Sequence, residues 1–228
     1  MRPPEEEQEP KRISKDEVIA GLAAFGVAIS SLQARRIAEY HQLLLQWNRK
    51  ISLTTVPESE ILARHFGESL FGAKVAGINS GDLLDVGSGA GFPGLPIAIV
   101  HPAIGAVLLE PNGKKAAFLG EVVRKLDLRD RVRISRSRLE DYRAGEARYD
   151  VITSRAVRVE RSFLENCRNF LAEGGRLILW QSEEDFAELR EIGGWIWADA
   201  IRIPASDHRL VVWGRPMEEA DVSRETEG

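Results

Sequence analysis

The sequence is poor in several things at once. Of its 228 residues one is cysteine, two are methionine and four are histidine, and aromatic residues make up 7%. A lone cysteine cannot close an internal disulfide, which excludes the stapled architecture of small secreted domains. Cys167 is expected to be an inert, buried thiol. No acid–base pair, catalytic triad or metal-ligand cluster stands out, so no metal site is read from the sequence. No apolar run approaches the ~20 residues of a membrane span. The segment Met1–Lys11 is too acidic and polar for a secretory signal. These absences point to a cytoplasmic protein without membrane contact.

What is present suits one α/β domain with an N-terminal extension, long enough to bury a substantial core. The formal net charge of −4 is unevenly placed: residues 1–10 sum to −3 and residues 214–228 to another −3, which leaves a core of +2. Both ends are rich in proline or glutamate and poor in large apolar side chains, the composition of disorder. Disordered tails are therefore expected over 1–14 and 215–228. Residues 124–161 carry twelve Lys or Arg against seven Asp or Glu. Such a cluster is a solvated surface with local ion pairs unless other features point to nucleic acid.

The densest local signal is the stretch Asp82-Leu83-Leu84-Asp85-Val86-Gly87-Ser88-Gly89-Ala90-Gly91-Phe92-Pro93-Gly94. A short apolar run reads as a buried parallel strand that breaks into a glycine turn and then a helix start. That arrangement brings free backbone N–H groups and a helix N-terminus to one point, where a nucleotide-like ligand can lie against the backbone. Gly89 to Gly94 match a dinucleotide fingerprint, whereas Gly87 to Gly91 with Asp85 resemble the first motif of class I S-adenosylmethionine (AdoMet) methyltransferases. A carboxylate at Asp85 suits a cationic sulfonium ligand better than a pyrophosphate. Pro93 and Pro96 remove N–H donors that a pyrophosphate would need.

Upstream, Lys15 to Phe25 reads as a short amphipathic helix closed by Gly26, and Ser30 or Ser31 caps a longer one through Asn48. Ile37, Tyr40, Leu44 and Trp47 recur at spacings of three and four, and these aromatics are expected to pack against the main domain. A third helix is expected from Glu58 to Ala76. Downstream, further strands are read at 105–110, 132–134, 149–153 and 176–180, with helices between them. A last pair, 196–203 and 210–213, is joined by so short a turn at 204–207 that it must be antiparallel. The expected fold is therefore a doubly wound, mostly parallel sheet of seven strands over 81–214, ending in an antiparallel hairpin. This is the class I methyltransferase plan, with a helical extension over 15–80. Glu110 ends the second strand 23 residues after Gly87. It can accept both ribose hydroxyls of an adenosine ligand, or serve only as a helix N-terminal acid.

Three segments carry a closer resemblance: Asn48-x-x-Ile51-Ser52-Leu53-Thr54, Arg64-His65-Phe66-x-Glu68-Ser69-Leu70, and the glycine stretch extended to Pro93-Gly94-Leu95-Pro96. Together with Leu108-Leu109-Glu110, Gly113-Lys114-Lys115 and Ser154-Arg155-Ala156, they resemble the ribosomal RNA small subunit methyltransferase G family, also called glucose-inhibited division protein B. The resemblance implies methyl transfer from AdoMet to N7 of a guanine in 16S rRNA, acting on that RNA or on the small ribosomal subunit, by a monomer. It implies AdoMet contacts at Gly87, Phe92, Leu139, Glu140 and Arg155, with Gly89 in the same loop and Glu110 on the ribose. Guanine N7 carries a lone pair and no proton, so no general base is expected. Arg64, His65, Lys114 and Lys115 are candidates for steering RNA phosphates, or, as alternatives, a packing histidine and solvated helix turns. Four positions depart from the family pattern: Ser52 where asparagine is usual, Glu68 for aspartate, Pro111 for serine and Gln181 for lysine. Two rival readings share the fold, a small-molecule methyltransferase and a non-catalytic RNA- or ribosome-binding protein.

Overall fold

The computed structural model describes residues 12–155, 158–204 and 206–218. Most of the two expected tails (1–11 and 219–228), Ala156 of the Ser-Arg-Ala motif and Ala205 of the expected turn lie outside the described residues. Helix α1 (Lys15–Ala23) begins at a capping box between Ser14 and Glu17, and α2 (Ser31–Asn48) at one between Ser30 and Gln33. Each box satisfies two N–H groups that a helix start otherwise leaves open.

The expected third helix is not uniform. A 3-10 turn (Glu58–Glu60) leads into a π-helical segment (Leu62–Gly67), and only then comes α3 (Glu68–Val75). The wider π turn offsets the side chains before it from those after it, which is why such segments collect at functional sites. Here it aims His65 at Thr54 and Arg155, while Glu68 faces two arginines.

The alternating part follows as β1 (Ser80–Val86), α4 (Gly94–Val100), β2 (Ala103–Leu109), α5 (Gly113–Lys125), β3 (Val132–Ser135) and β4 (Tyr149–Arg155). It continues through α6 (Arg161–Phe170), β5 (Leu171–Ser182), α7 (Glu183–Arg190), β6 (Trp195–Trp197), β7 (Ile201–Arg202) and β8 (Arg209–Pro216). The sheet order is β3-β2-β1-β4-β5-β8-β6, with β7 also on β8. Strands β1 to β5 are parallel, and β8 runs antiparallel to β5 and to both short strands.

Among the described residues eight strands replace the expected seven, because the segment 196–203 is interrupted. Trp197 pairs with Gly214 and Ile201 with Val211, so four steps on one strand face three on the other. One extra residue is a β-bulge, and it splits a single strand into β6 and β7. Strand β8 also runs on through Arg215 and Pro216, two residues into the expected disordered tail. Strand β5 starts earlier than expected, at Leu171, and shifts register between Tyr149 and Val151 of its neighbour. Gly175 sits at that shift, where a Cβ would lie 2.9 Å from the carbonyl oxygens of Ala172 and Tyr149.

Both faces of the sheet are covered, as a parallel sheet requires. Alternation along each strand sends Leu83, Ile178 and Val211 into one cluster and Leu84, Leu177, Leu179 and Val212 into the other. The first cluster also holds Leu22, Ile37, Tyr40 and Leu44. Helices α1 and α2 thus build one wall of the core rather than decorating it. Cys167 lies in the second cluster, fully buried, and burial pushes its thiol pKa up, away from reactivity. Among the described residues no helix is long and apolar enough to cross a membrane.

Candidate active site

The turn after β1 is the centre of the site. Gly87, Gly89 and Gly91 all adopt positive φ (71°, 57° and 93°), a region side chains disfavour. Ser88 donates its hydroxyl to the Asp85 carbonyl and its N–H to the Leu109 carbonyl, so the turn is laced to both β1 and β2. Glu110 completes the lacing. One carboxylate oxygen accepts the Gly89 N–H at 2.8 Å and the other the Asn112 N–H at 2.8 Å. A carboxylate offers about four lone-pair sites, so two remain for a ligand's hydroxyls. On the side where Gly89 lacks a Cβ, the nearest atom is the Gly87 oxygen at 3.8 Å, which leaves that face of the backbone open.

Beside this turn lies a cavity of about 570 Å³ walled by Gly87, Pro111, Leu139, Glu140, Phe163 and Asn166. It brings together Gly87 from the connection after β1 with Leu139 and Glu140 from the connection after β3, and Glu110 lies between the lining residues Leu109 and Pro111. Leu139 is buried and Glu140 exposed. The size is that of a small-molecule site. Phe163 and Asn166, on α6, were not read from the sequence, where they look like ordinary helix residues.

Phe92 and Arg155 are not in that wall. The Phe92 ring is sandwiched between Tyr40 (5.3 Å between centroids, 7° between planes) and His65 (4.6 Å, 15°), with Phe66 edge-on at 5.0 Å. The Tyr40 hydroxyl donates to the Ala90 carbonyl inside the glycine turn. Burial, with Asp85 nearby, raises its pKa well above the phenol's usual value. The extension therefore grips the turn directly.

His65 takes part in a relay that starts at Asn48. The Asn48 side chain accepts the N–H groups of Leu53 and Thr54 and donates to the Thr54 carbonyl, fixing the loop after α2. The Thr54 hydroxyl then meets His65 Nε2 at 2.7 Å, and an Arg155 N–H reaches His65 Nδ1 at 3.4 Å. An arginine can only donate, so Nδ1 accepts and the proton sits on Nε2. Burial, then the charges of Arg155, Arg64 and Arg209, push the His65 pKa down to about 3. The imidazole is neutral and turned inward, which favours the packing alternative over phosphate contact.

Arg155 also pairs with Glu68 at 3.5 Å, and Arg209 reaches the other Glu68 oxygen at 2.7 Å. Burial lowers the Arg155 pKa, while burial raises that of Glu68 against the pull of Arg155, Arg209 and Arg64. Arg64 pairs with Glu60 at 3.3 Å in a half-exposed i,i+4 contact. Lys114 and Lys115 lie in the first turn of α5, where Asn112 caps both backbone N–H groups. Cations there oppose the helix dipole and are disposed to attract an anion. Of the departing positions, Ser52 is exposed, Pro111 lines the first cavity, Glu68 is buried, and Gln181 lines a second cavity.

Asp85 differs from its sequence reading. Instead of facing a cationic ligand it is fully buried, accepting the Thr153 hydroxyl at 2.8 Å and the Gly94 N–H at 3.3 Å. It braces β1 to β4 and caps α4, the role for an anion at a helix start. Burial outweighs the hydrogen bonds from Thr153 and Gly94 and lifts its pKa to about 6. The folded protein then holds this proton up to about pH 6, whereas the unfolded chain releases it near 3.8. The folded state binds more protons in that window, so its stability falls as pH rises through it. Asp85→Asn keeps both contacts, with its amide oxygen on Gly94 and its nitrogen on Thr153. It is expected to be about 2–3 kcal/mol more stable than wild type at pH 7.5 and equal near pH 3. Urea unfolding at the two pH values checks this, and a gap of the same size at both would sink it.

Comparison with known proteins agrees with this geometry. A protein from Roseiflexus castenholzii named ribosomal RNA small subunit methyltransferase G is 37% identical over 210 residues, covering 86% of this chain and 89% of that one. One of the same name from Dehalococcoides mccartyi is 41% identical over 168 residues, covering 72% of this chain and 71% of that one. Among solved structures, the glycopeptide N-methyltransferase MtfA superposes with a TM-score of 0.59 at 13% identity, over 71% of this chain and all (100%) of that one. A ribosomal protein L11 methylase from Lactobacillus delbrueckii subsp. bulgaricus gives 0.57 at 12%, over 68% and 80%. These structures share the fold alone. The family model for rRNA small subunit methyltransferase G (GidB) matches residues 33–196, a span that takes in most of α2, the His65 relay, the glycine turn and β1 through β5. A helix that grips the turn and the sheet that carries it thus answer to one family, and the chain belongs to the rRNA small subunit methyltransferase G family.

Proposed function

We propose that this protein transfers the methyl group of AdoMet to N7 of a guanine in 16S rRNA, on the free RNA or the small ribosomal subunit. The observation that carries the reading is the pairing of Glu110 with the glycine turn beside a cavity of about 570 Å³, in a chain of this family.

The residues present fit AdoMet. The open face of Gly89 leaves room for the amino-acid part, the free lone pairs of Glu110 suit two ribose hydroxyls, and Leu139 offers an apolar wall for adenine beside Glu140. When bound, AdoMet supplies a methyl group made electrophilic by a sulfonium. The chain's task is then to bind, orient and exclude water. Guanine N7 brings its own lone pair and loses no proton, so no side chain has to act as a base. Alignment alone can account for up to about 7–11 kcal/mol of barrier lowering. The Tyr40 and Glu110 bonds hold the turn rigid before a ligand arrives, which is what such alignment demands. Arg64, Lys114 and Lys115 serve RNA phosphates in this reading, with binding that weakens as salt rises.

The test uses the purified protein, methyl-labelled AdoMet and small subunits lacking this modification, with free rRNA and a metabolite extract as parallel acceptors. Label at one guanosine, with strand scission at 7-methylguanosine, is expected. Label confined to the metabolite fraction would transfer the assignment to a small-molecule enzyme. Glu110→Ala is expected to weaken AdoMet binding by roughly 2 kcal/mol, about thirtyfold, by calorimetry. Unchanged affinity would remove Glu110 from the ribose.

A further inference from the structure

A second cavity, of about 770 Å³, opens at the carboxyl ends of β4 and β5. Its floor is Trp180 and Gln181, one wall is Arg158, Glu160 and Arg161, and the facing wall is Asp185, Glu188 and Ile192 from α7 and the turn after it. Arg158 and Glu160 line the first cavity as well, so the two spaces share a wall.

The polar groups around it are unequally engaged. Asp185 is committed to the capping box of α7 through Ser182, and Glu160 pairs with Arg158 at 3.4 Å. Gln181 is only 9% exposed and makes no side-chain hydrogen bond among the described residues. Its amide, in the lining of the cavity, is therefore free to meet a ligand that enters there. Glu188 presents an exposed carboxylate on the opposite wall, also without a partner among the described residues.

From this we infer that the second cavity is the pocket for the acceptor base, and that Gln181 and Glu188 read that base as guanine. The inference rests on the methyltransferase reading above and adds its specificity. A guanine whose N7 faces the first cavity, where the two spaces adjoin, carries O6 next to N7, toward the floor. Its N1–H and 2-amino donors then point across the pocket. The Gln181 amide meets O6 with a donor, and the Glu188 carboxylate meets the N–H donors. Adenine presents a bare ring nitrogen in place of N1–H, which a carboxylate repels. Three carboxylates against two guanidinium groups also suit a base that becomes cationic on methylation.

The experiment measures methyl transfer to rRNA and, separately, AdoMet affinity for the wild type, Gln181→Leu, Glu188→Gln and a control on the same helix, Glu184→Gln. The two pocket variants are expected to lose about tenfold to a hundredfold in kcat/KM, with AdoMet affinity and unfolding midpoint within about twofold and a degree or so of wild type. The control is expected to match wild type. A target strand carrying inosine, which lacks the 2-amino group, is expected to be a poor substrate for wild type and no poorer than guanosine for Glu188→Gln. Pocket variants with wild-type kcat/KM, in an enzyme that does methylate rRNA, would overturn the pocket assignment alone. Wild-type protein that binds AdoMet and methylates no rRNA would overturn the function and the pocket together.

Discussion

Replacing Glu68 by alanine is expected to destabilise the protein by about 3–5 kcal/mol, read as a lower urea midpoint at unchanged slope. Glu68 is almost fully buried, and its two oxygens face different arginines, Arg155 at 3.5 Å and Arg209 at 2.7 Å. Burial raises the Glu68 pKa and lowers that of Arg155, which says that desolvation consumes most of what the attraction returns. An intact cluster of this kind adds little net stability. Losing its paired anion leaves two guanidinium groups facing each other with only the weaker pull of Asp85 on Arg155, and Arg155 already has one terminal nitrogen buried and unpartnered. Coulomb repulsion in a poorly solvated site then adds to the desolvation cost. Glu68→Gln keeps the volume and an acceptor but not the charge, and should fall between wild type and Glu68→Ala. A loss below about 1 kcal/mol for the alanine variant would mean that water reaches the arginines freely.

The parts of this site that the sequence disclosed are those with local causes. The glycine turn shows itself because three positive-φ residues crowd five positions after an apolar run. The strands show themselves through short apolar stretches between helix caps, and Glu110 through its distance from the turn. The aromatics of α2 were legible as packing residues because Ile37, Tyr40 and Leu44 share one helical face, and all three are buried. What stayed hidden depends on partners far along the chain. Asp85 turns inward because Thr153, 68 residues away, offers it a hydroxyl. Arg155 joins the Glu68 cluster rather than the first cavity because His65, 90 residues away, lies against it. A hydroxyl directly after the apolar pair Val151-Ile152, that of Thr153, was the available signal for the first. For Arg209 there was none, since a basic residue at the start of an edge hairpin reads as surface. The split of the third helix was equally invisible, because apolar spacing does not distinguish a π turn from an α turn.

Phe92→Ala is expected to cost about 3–5 kcal/mol of stability and to weaken AdoMet binding as well, although the ring lies outside the wall of the first cavity. Phe92 is the middle ring of a stack, parallel to Tyr40 on one side and His65 on the other, with Phe66 edge-on. Each such pair is worth about 0.5–1.5 kcal/mol beyond the area buried, and removing the middle ring breaks three at once. The cavity left behind sits between α2, the π segment and the glycine turn, three elements that meet through this ring. Tyr40 would keep its bond to Ala90 only by following the turn inward, and His65 would lose the surface that holds it flat between Thr54 and Arg155. The turn should then sample more conformations, and AdoMet would have to order it on binding, at a cost in affinity. Phe92→Leu separates the two effects, since it fills much of the space but cannot stack. It is expected to recover most of the stability and only part of the affinity. If Phe92→Ala lowers stability while AdoMet affinity, measured at a temperature where the variant is folded, stays at the wild-type value, the stack is packing alone. The N-terminal helices would then hold the sheet without governing the turn.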